Sequence, residues 1–316
     1  MRKVLVIGTG GTISCVKTEN GLAPSIPLSE LLKDIDLPVE IHSEQLLELD
    51  STNMTPRHWE QLARHIHKNY DDFDGFVITH GTDTMAYGAA ALSVLIQSSR
   101  KPVVLTGSMK PMTEENSDAP KNLRDAVSFA ADERAFGVNV VFNGVIIDGR
   151  CAHKRDSEDT DAFESHGREV RGYFSDTGEI IFSLNRSGQT QFYKHLSDRV
   201  FLAKLIPGQR LCVPENARAV ILECYGAGGV PSYLYDDIAV LANRGVYVIV
   251  GTQCEHGGTR LSEYEVGQRA MKAFKLLETG LMSTEYAVAR AQWAVTYSYN
   301  YEDFKKLFYL EYIEVN

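Results

Sequence analysis

The feature that most constrains this chain is a set of short apolar runs, each stopping abruptly in a glycine- and threonine-rich turn. Lys3 to Ile7 ends in GTGGT (Gly8 to Thr12), Phe76 to Thr79 ends in HGTDT (His80 to Thr84), and Val103 to Thr106 runs into GSM. An unbroken apolar run of this length reads as a strand covered on both faces. Helical patterns follow or intervene. Thr55 to Asn69 carries Pro56 in its first turn and Trp59, Leu62, Ala63 and Ile66 at helical spacing, and a second helix is expected from about Met85 to Gln97. A third has Asp118 as its cap and Pro120 in its first turn. Val39 to His42 and Val138 to Ile147 read as further strands. Strands alternating with helices imply a parallel α/β sheet with right-handed crossovers, whose sites form beyond the carboxyl ends of the strands.

At roughly 100–200 residues per domain, 316 residues favour two domains. Residues 1–185 form the larger N-terminal unit in this reading. Residues 186–216, punctuated by Pro207, Gly208 and Pro214, form a connection, and 217–316 a smaller C-terminal α/β unit. There Val220 to Leu222 and Val246 to Val250 restart the strand pattern, with helices expected at about 264–277, 284–298 and 301–312.

Several function classes are excluded. Lys plus Arg number 32 against 42 Asp plus Glu, a net charge of −10, and a chain this acidic lacks the cationic field that nonspecific nucleic-acid binding requires. Nowhere do 18 apolar residues run together, and the apolar run at Val4 to Ile7 is too short for a signal peptide. Five cysteines without a C-x-x-C pair suit a reduced, cytoplasmic protein. No metal site is expected. His65 and His67 diverge on a helix, and Cys254 with His256 lacks further ligands at a diagnostic spacing. The G-x-S-x-G of a serine hydrolase is missing.

The strand-end turns keep more than one reading. Gly8 to Ile13 has Ile13 where a dinucleotide fingerprint wants its third glycine. The polar SCVKTENGLAPS that follows suits a mobile loop rather than a helix. The glycines then serve either a tight turn alone or a turn that presents Thr12 to a ligand. Asp83 or Thr82 could simply cap the next helix, yet a hydroxyl beside a carboxylate at a helix N-terminus also suits proton handling and ammonium binding. Lys154, in the charged stretch DGRCAHKRDSEDTDAF, reads on its own as a solvated lysine.

TGGTI (Thr9 to Ile13) together with HGTDTMAY (His80 to Tyr87) resembles the L-asparaginase family, in its cytoplasmic (type I) and archaeal-type branch. The similarity extends over nearly the whole chain, through LDSTNMTP (Leu49 to Pro56), LTGSMKPMTEENSDAPKNLRDA (Leu105 to Ala126), DAFES (Asp161 to Ser165), LECYGAGGVP (Leu222 to Pro231) and GTQC (Gly251 to Cys254). It implies a larger N-terminal α/β domain, a smaller C-terminal one, a homo-oligomer (dimer or dimer of dimers), and hydrolysis of L-asparagine to L-aspartate and ammonia without a cofactor. By the same resemblance Thr12 is the nucleophile. Thr82, Asp83 and Lys154 form a second group in which the lysine and the carboxylate set the proton affinity of Thr82. Ser51, with Asp50 and Thr52 by position, binds the substrate α-carboxylate along with backbone N–H groups near Gly11, and Asp83 holds the α-amino group. A threonine hydroxyl is a weak nucleophile at neutral pH, so Thr12 needs a proton acceptor.

The chain departs from the family pattern at three points. Many members carry N-G-Y in the mobile loop, where this chain has Asn20-Gly21-Leu22 and no tyrosine before Tyr70. The C-terminal family pattern stands as GLMSTEYAVAR, with Glu285 kept and its neighbours changed. His153, not threonine, precedes Lys154. Two other functions compete with hydrolysis. One is an ammonia-donating amidotransferase subunit, for remodelling of glutamyl-tRNA, whose relatives carry an additional N-terminal domain for which the position of Thr9 leaves no room. The other is an asparagine-binding sensor with weak turnover, suggested by Leu22.

Overall fold

The structure is a computed structural model. It describes every residue except Asn20, 183–187, Tyr264 and 311–316, and omits the side chains of Leu22, Pro24, Glu265, Val266 and Arg269. Two compact units divide the described chain, Met1–Lys194 and His195–Leu310.

In the first unit, eight described strands form one sheet. Its order is Ile180–Phe182, Gly172–Phe174, Val145–Asp148, Gly137–Phe142, Pro102–Thr106, Gly75–Thr79, Arg2–Gly10 and Val39–Leu49. The five strands from Gly137–Phe142 to Val39–Leu49 are mutually parallel, and the other three add an antiparallel flank. Val4 to Ile7, Phe76 to Ile78 and Val103 to Leu105 are all fully buried, which explains their unbroken apolar sequence. The helix Pro56–Asn69 turns Trp59, Leu62, Ala63 and Ile66 inward, and Thr55 N–H donates to His58 Nδ1 at its start. The helix Met85–Leu95 is apolar on every side and buried on nearly all of them.

In the first unit four expectations are corrected by the tertiary structure. The helix after His80–Thr84 ends at Leu95, because Ile96–Gln97 pairs antiparallel with Gln191–Phe192. Asp118 precedes the helix Ala119–Ala131 but does not cap it with its side chain. Its carboxylate accepts from the N–H groups of Met109 and Lys110 instead. Residues 138–147 are two strands, not one. Asn143 and Gly144 have φ of 48° and 78° and fold the chain into a hairpin, the Asn-Gly signature of a type I′ turn. The polar segment after Ser14 is also a hairpin, Cys15–Thr18 against Gly21–Pro24.

The second unit holds a parallel sheet of four described strands, Val200–Lys204, Ala219–Cys224, Tyr247–Thr252 and Leu277–Glu278. Part of the segment read as a connection therefore contributes the Val200–Lys204 strand to this sheet. The helices are Tyr235–Asn243, Glu265–Phe274, Thr284–Tyr297 and Tyr301–Phe308, the first without counterpart among the helices expected from sequence. The expected helix boundaries at 264 and 312, and a domain boundary at 185, fall outside the described residues. Ser283 Oγ accepts from Tyr286 N–H and Asn300 Oδ1 from Asp303 N–H, so two of these helices begin on side-chain caps. Among the described residues no helix is long and apolar enough to cross a membrane.

Gly144→Ala places a Cβ on a left-handed residue at the hairpin that leads toward Lys154. Urea denaturation should show a loss of about 1–2 kcal/mol. An unchanged midpoint would mean that the turn tolerates a side chain and does not pin the hairpin.

Candidate active site

Three strand-end turns of the first unit meet, two of them backbone to backbone and the third through a serine side chain. Gly11, at φ 85°, lies so close to the next turn that a Cβ on it would sit 2.5 Å from Gly81 Cα and 2.5 Å from Gly81 N. A Cβ on Gly81 would in turn lie 2.6 Å from Ser51 Oγ. Only glycine fits where backbones approach this closely. Thr84 Oγ1 donates to Ser51 O at 2.8 Å, and Thr9 Oγ1 to Thr79 O at 2.8 Å, so the turns are also tied by hydrogen bonds. The Gly11 carbonyl accepts from Ser14 N–H and Ser14 Oγ and receives a contact from Cys15 Sγ, which fixes the short 3-10 turn Thr12–Ser14.

Thr82, Asp83 and Lys154 are joined directly. Lys154 Nζ donates to Thr82 Oγ1 at 2.9 Å and to Asp83 Oδ1 at 2.7 Å. Thr82 is buried and Lys154 nearly so, with 16% of its side chain exposed, whereas Asp83 keeps 57%. Neither Thr82 nor Asp83 caps the helix with its side chain. An ammonium that donates to the Thr82 oxygen leaves the hydroxyl proton free to be given away and stabilises the charge this creates. The Asp83 carboxylate, half in solvent, retains acceptor capacity for an incoming ammonium group.

The remaining residues singled out in the sequence fall around these two clusters. Ser51 is buried, with Asp50 preceding it. Asp50 Oδ1 accepts from Thr52 N–H at 2.9 Å, so Asp50 and the exposed Thr52 shape the turn that carries Ser51. Thr12 is half-buried and stands one residue from the Gly11–Gly81 contact. Its hydroxyl has no hydrogen-bonded partner among the described residues. Leu22 lies opposite Lys17 in the hairpin, and its side chain is outside the described residues. Among the described residues no cluster of three His, Cys, Asp or Glu side chains could hold a metal.

Sequence reasoning missed the support beneath these turns. His80 is fully buried and donates from Nδ1 to Gly81 O at 2.7 Å. Burial pushes its pKa down from 6.5 to about 4, against a smaller opposite effect of the Gly81 bond. A Cβ on Gly107 would lie 2.3 Å from His80 O, so a further strand-end turn, at 107–110, packs against the His80–Gly81 turn. Asn122 holds the 107–110 turn, donating from Nδ2 to Gly107 O and to Asp118 Oδ2. The signal was a polar residue with no place on an apolar helix face, which periodicity alone does not interpret.

A neutral, buried His80 favours the folded state wherever the unfolded chain would not take up a proton. Stability from this residue is therefore complete above about pH 6.5 and falls by about 3 kcal/mol as the pH drops to about 4. Urea titrations of the wild type and His80→Leu across that range should differ by this amount in how far stability falls. Parallel pH profiles would show that the ring is not held neutral.

The family model described as "Asparaginase, N-terminal" matches residues 3–187, and that described as "Glutaminase/Asparaginase C-terminal domain" matches 199–308. The chain is 37% identical over 321 residues to an L-asparaginase of Thermococcus kodakarensis, covering 96% of each chain. The solved structure of a thermostable L-asparaginase from that organism superposes with a TM-score of 0.89 at 35% identity, covering 97% of this chain and 96% of the other. A structure described as a probable cytoplasmic L-asparaginase from Campylobacter jejuni gives a TM-score of 0.83 at 26% identity, covering 98% of this chain and 99% of that one. The glutamyl-tRNA(Gln) amidotransferase of Pyrococcus abyssi has a component that is 30% identical over 98% of this chain and 76% of its own length.

Proposed function

The chain belongs to the asparaginase family, and from that premise we propose that it hydrolyses L-asparagine to L-aspartate and ammonia through an acyl-enzyme on Thr12. The observation that carries this reading is the pair of bonds from Lys154 Nζ to Thr82 Oγ1 and Asp83 Oδ1, two residues that come directly after Gly81, which packs against Gly11. The backbone contact of Gly11 with Gly81 supports a single site shared by these two hydroxyl-bearing turns from distant parts of the sequence.

Thr12 Oγ attacks the side-chain amide carbon. The C–N bond of the tetrahedral intermediate breaks, ammonia leaves with the proton that the Thr12 hydroxyl gave up on attack, relayed through Thr82, and an ester to Thr12 remains. Water then adds to that ester, releasing aspartate and restoring the hydroxyl. A backbone N–H aimed at the oxyanion is worth about 3–4 kcal/mol in such a step. Thr82, with its oxygen on the Lys154 ammonium, gives and takes the protons that these two steps move. Asp83 receives the substrate α-ammonium, and its exposed carboxylate is available for that contact. Ser51 and the N–H groups of its turn, with Gly11, receive the α-carboxylate. Thr52 joins Ser51 in receiving the α-carboxylate, while Asp50 shapes the turn through its bond to Thr52 N–H, because its own carboxylate facing the substrate's would repel it.

A cytoplasmic setting and a homo-oligomer belong to the same reading. The first is supported by likeness to the Campylobacter jejuni protein, and light scattering checks the second. Delivery of ammonia to a tRNA-bound substrate is the second reading, favoured by the likeness to the Pyrococcus abyssi amidotransferase.

Ammonia release from L-asparagine, L-glutamine and D-asparagine tests the assignment. L-Asparagine should be the preferred substrate, and Thr12→Ala should lose at least about a thousandfold in kcat while still binding asparagine by calorimetry. Wild-type binding without ammonia release would make the protein a sensor. Lys154→Met should lower kcat far more than it raises KM, and an unchanged kcat would remove Lys154 from the machinery.

A further inference from the structure

Lys154 reaches Thr82 from a short strand, Ala152–Lys154, that follows a tight turn at residues 148–151. Asp148, the last residue of the strand Val145–Asp148, organises this turn. Its Oδ1 accepts from Arg150 N–H at 2.9 Å and Arg150 Nε at 3.0 Å, and its main-chain oxygen accepts from Cys151 N–H at 2.8 Å. Its Oδ2 accepts from Arg150 Nη2 at 2.5 Å, from Arg171 Nε at 3.0 Å and from Arg171 Nη2. Arg171 Nη1 continues to Asn139 Oδ1 at 3.1 Å, which ties the cluster to the neighbouring strand. All three charged side chains are largely buried, with Asp148 at 8%, Arg171 at 9% and Arg150 at 13% exposure. Burial alone would raise the Asp148 pKa, and the two guanidinium groups hold it well below the usual carboxylate range.

The turn is seated on the helix that carries the other half of the site. Gly149 N–H donates to Val138 O at 2.9 Å. A Cβ on Gly149 would lie 2.8 Å from Ser93 Oγ, 3.0 Å from Val138 Cγ1 and 3.1 Å from Ala89 O. Ala89 and Ser93 belong to the helix Met85–Leu95, which continues without interruption from Thr82–Thr84. The clamped turn and the Thr82 turn thus share one rigid support. A buried ion cluster is weak evidence of stability, since apolar replacements of similar volume often do as well, but it does fix a single geometry.

We propose that Asp148, with Arg150 and Arg171, is a positioning residue for turnover: it locks the 148–151 turn onto the Met85–Leu95 helix and so sets Lys154 Nζ on Thr82 Oγ1. This rests on the role given to Lys154 above. Asp148 then acts only through Lys154.

A double-mutant cycle separates this from a purely structural role. Ammonia release from asparagine and thermal unfolding are measured for the wild type, Asp148→Asn, Gly149→Ala, Lys154→Met and the two double variants that include Lys154→Met. In the wild-type background, Asp148→Asn and Gly149→Ala should each lower kcat by about tenfold or more with KM changed by less than about threefold. In the Lys154→Met background the same changes should lower kcat by less than about twofold, while the drop in Tm is the same in both backgrounds. Gly149→Ala keeps all three charged residues and decides the matter if Asp148→Asn does not fold. Losses that multiply in the double variants overturn the proposal and leave the role of Lys154 standing. An unchanged kcat in Lys154→Met, or no ammonia release by the wild type, overturns both.

Discussion

The approach of Gly11 to Gly81, with Ser51 Oγ also packed against Gly81, is the contact on which the candidate site of the first unit depends. It joins the carboxyl ends of two adjacent parallel strands, where side chains of ordinary size would hold the turns apart. Because neither residue has a Cβ, the backbones that lead into Thr12 and Thr82 pass in direct contact. The positive φ of Gly10 and Gly11 serves the same end, since it lets the chain leave the first strand and fold at once into the Thr12–Ser14 turn. A parallel sheet supplies the strand ends, and glycine lets them converge.

Around that contact the structure layers buried polar support. His80 holds the Gly81 carbonyl, Asn122 and Asp118 hold the 107–110 turn, and the Asp148 cluster holds the turn leading to Lys154. Each support ties loop backbone to a side chain fixed beside or within a strand or helix. Chemistry that needs a lysine within about 3 Å of a threonine depends on such ties, because a four-carbon side chain has many rotamers and only the path of its backbone narrows them.

The central strands were legible in the sequence because full burial on both faces leaves them nothing but apolar residues. The helix Pro56–Asn69 was legible because its period matches its buried stripe. The hairpin at Asn143–Gly144 was missed although an Asn-Gly pair stands there, because the apolar residues on either side read as one continuous strand. Asp118 looked like a cap because it precedes a helix. Its carboxylate turned instead to the two backbone N–H groups of a loop eight and nine residues earlier, a competition that local sequence does not arbitrate. The helix Tyr235–Asn243 leaves little periodic signal in the sequence because it is short and only Ile238 and Leu241 are buried along it.

Sequence by itself determined which residues form the central strands, where their turns lie, and which turns carry hydroxyls, carboxylates and glycines. Residue types and short-range spacing encode those properties through burial and backbone preference. Only the tertiary structure decided that Lys154, a solvated lysine by its surroundings in sequence, should meet Thr82 across 72 residues of chain. That meeting depends on the sharp Asn143–Gly144 turn, on the ion cluster that fixes the next one and on the seating of Gly149 against a helix. Each of these joins residues that no local period connects.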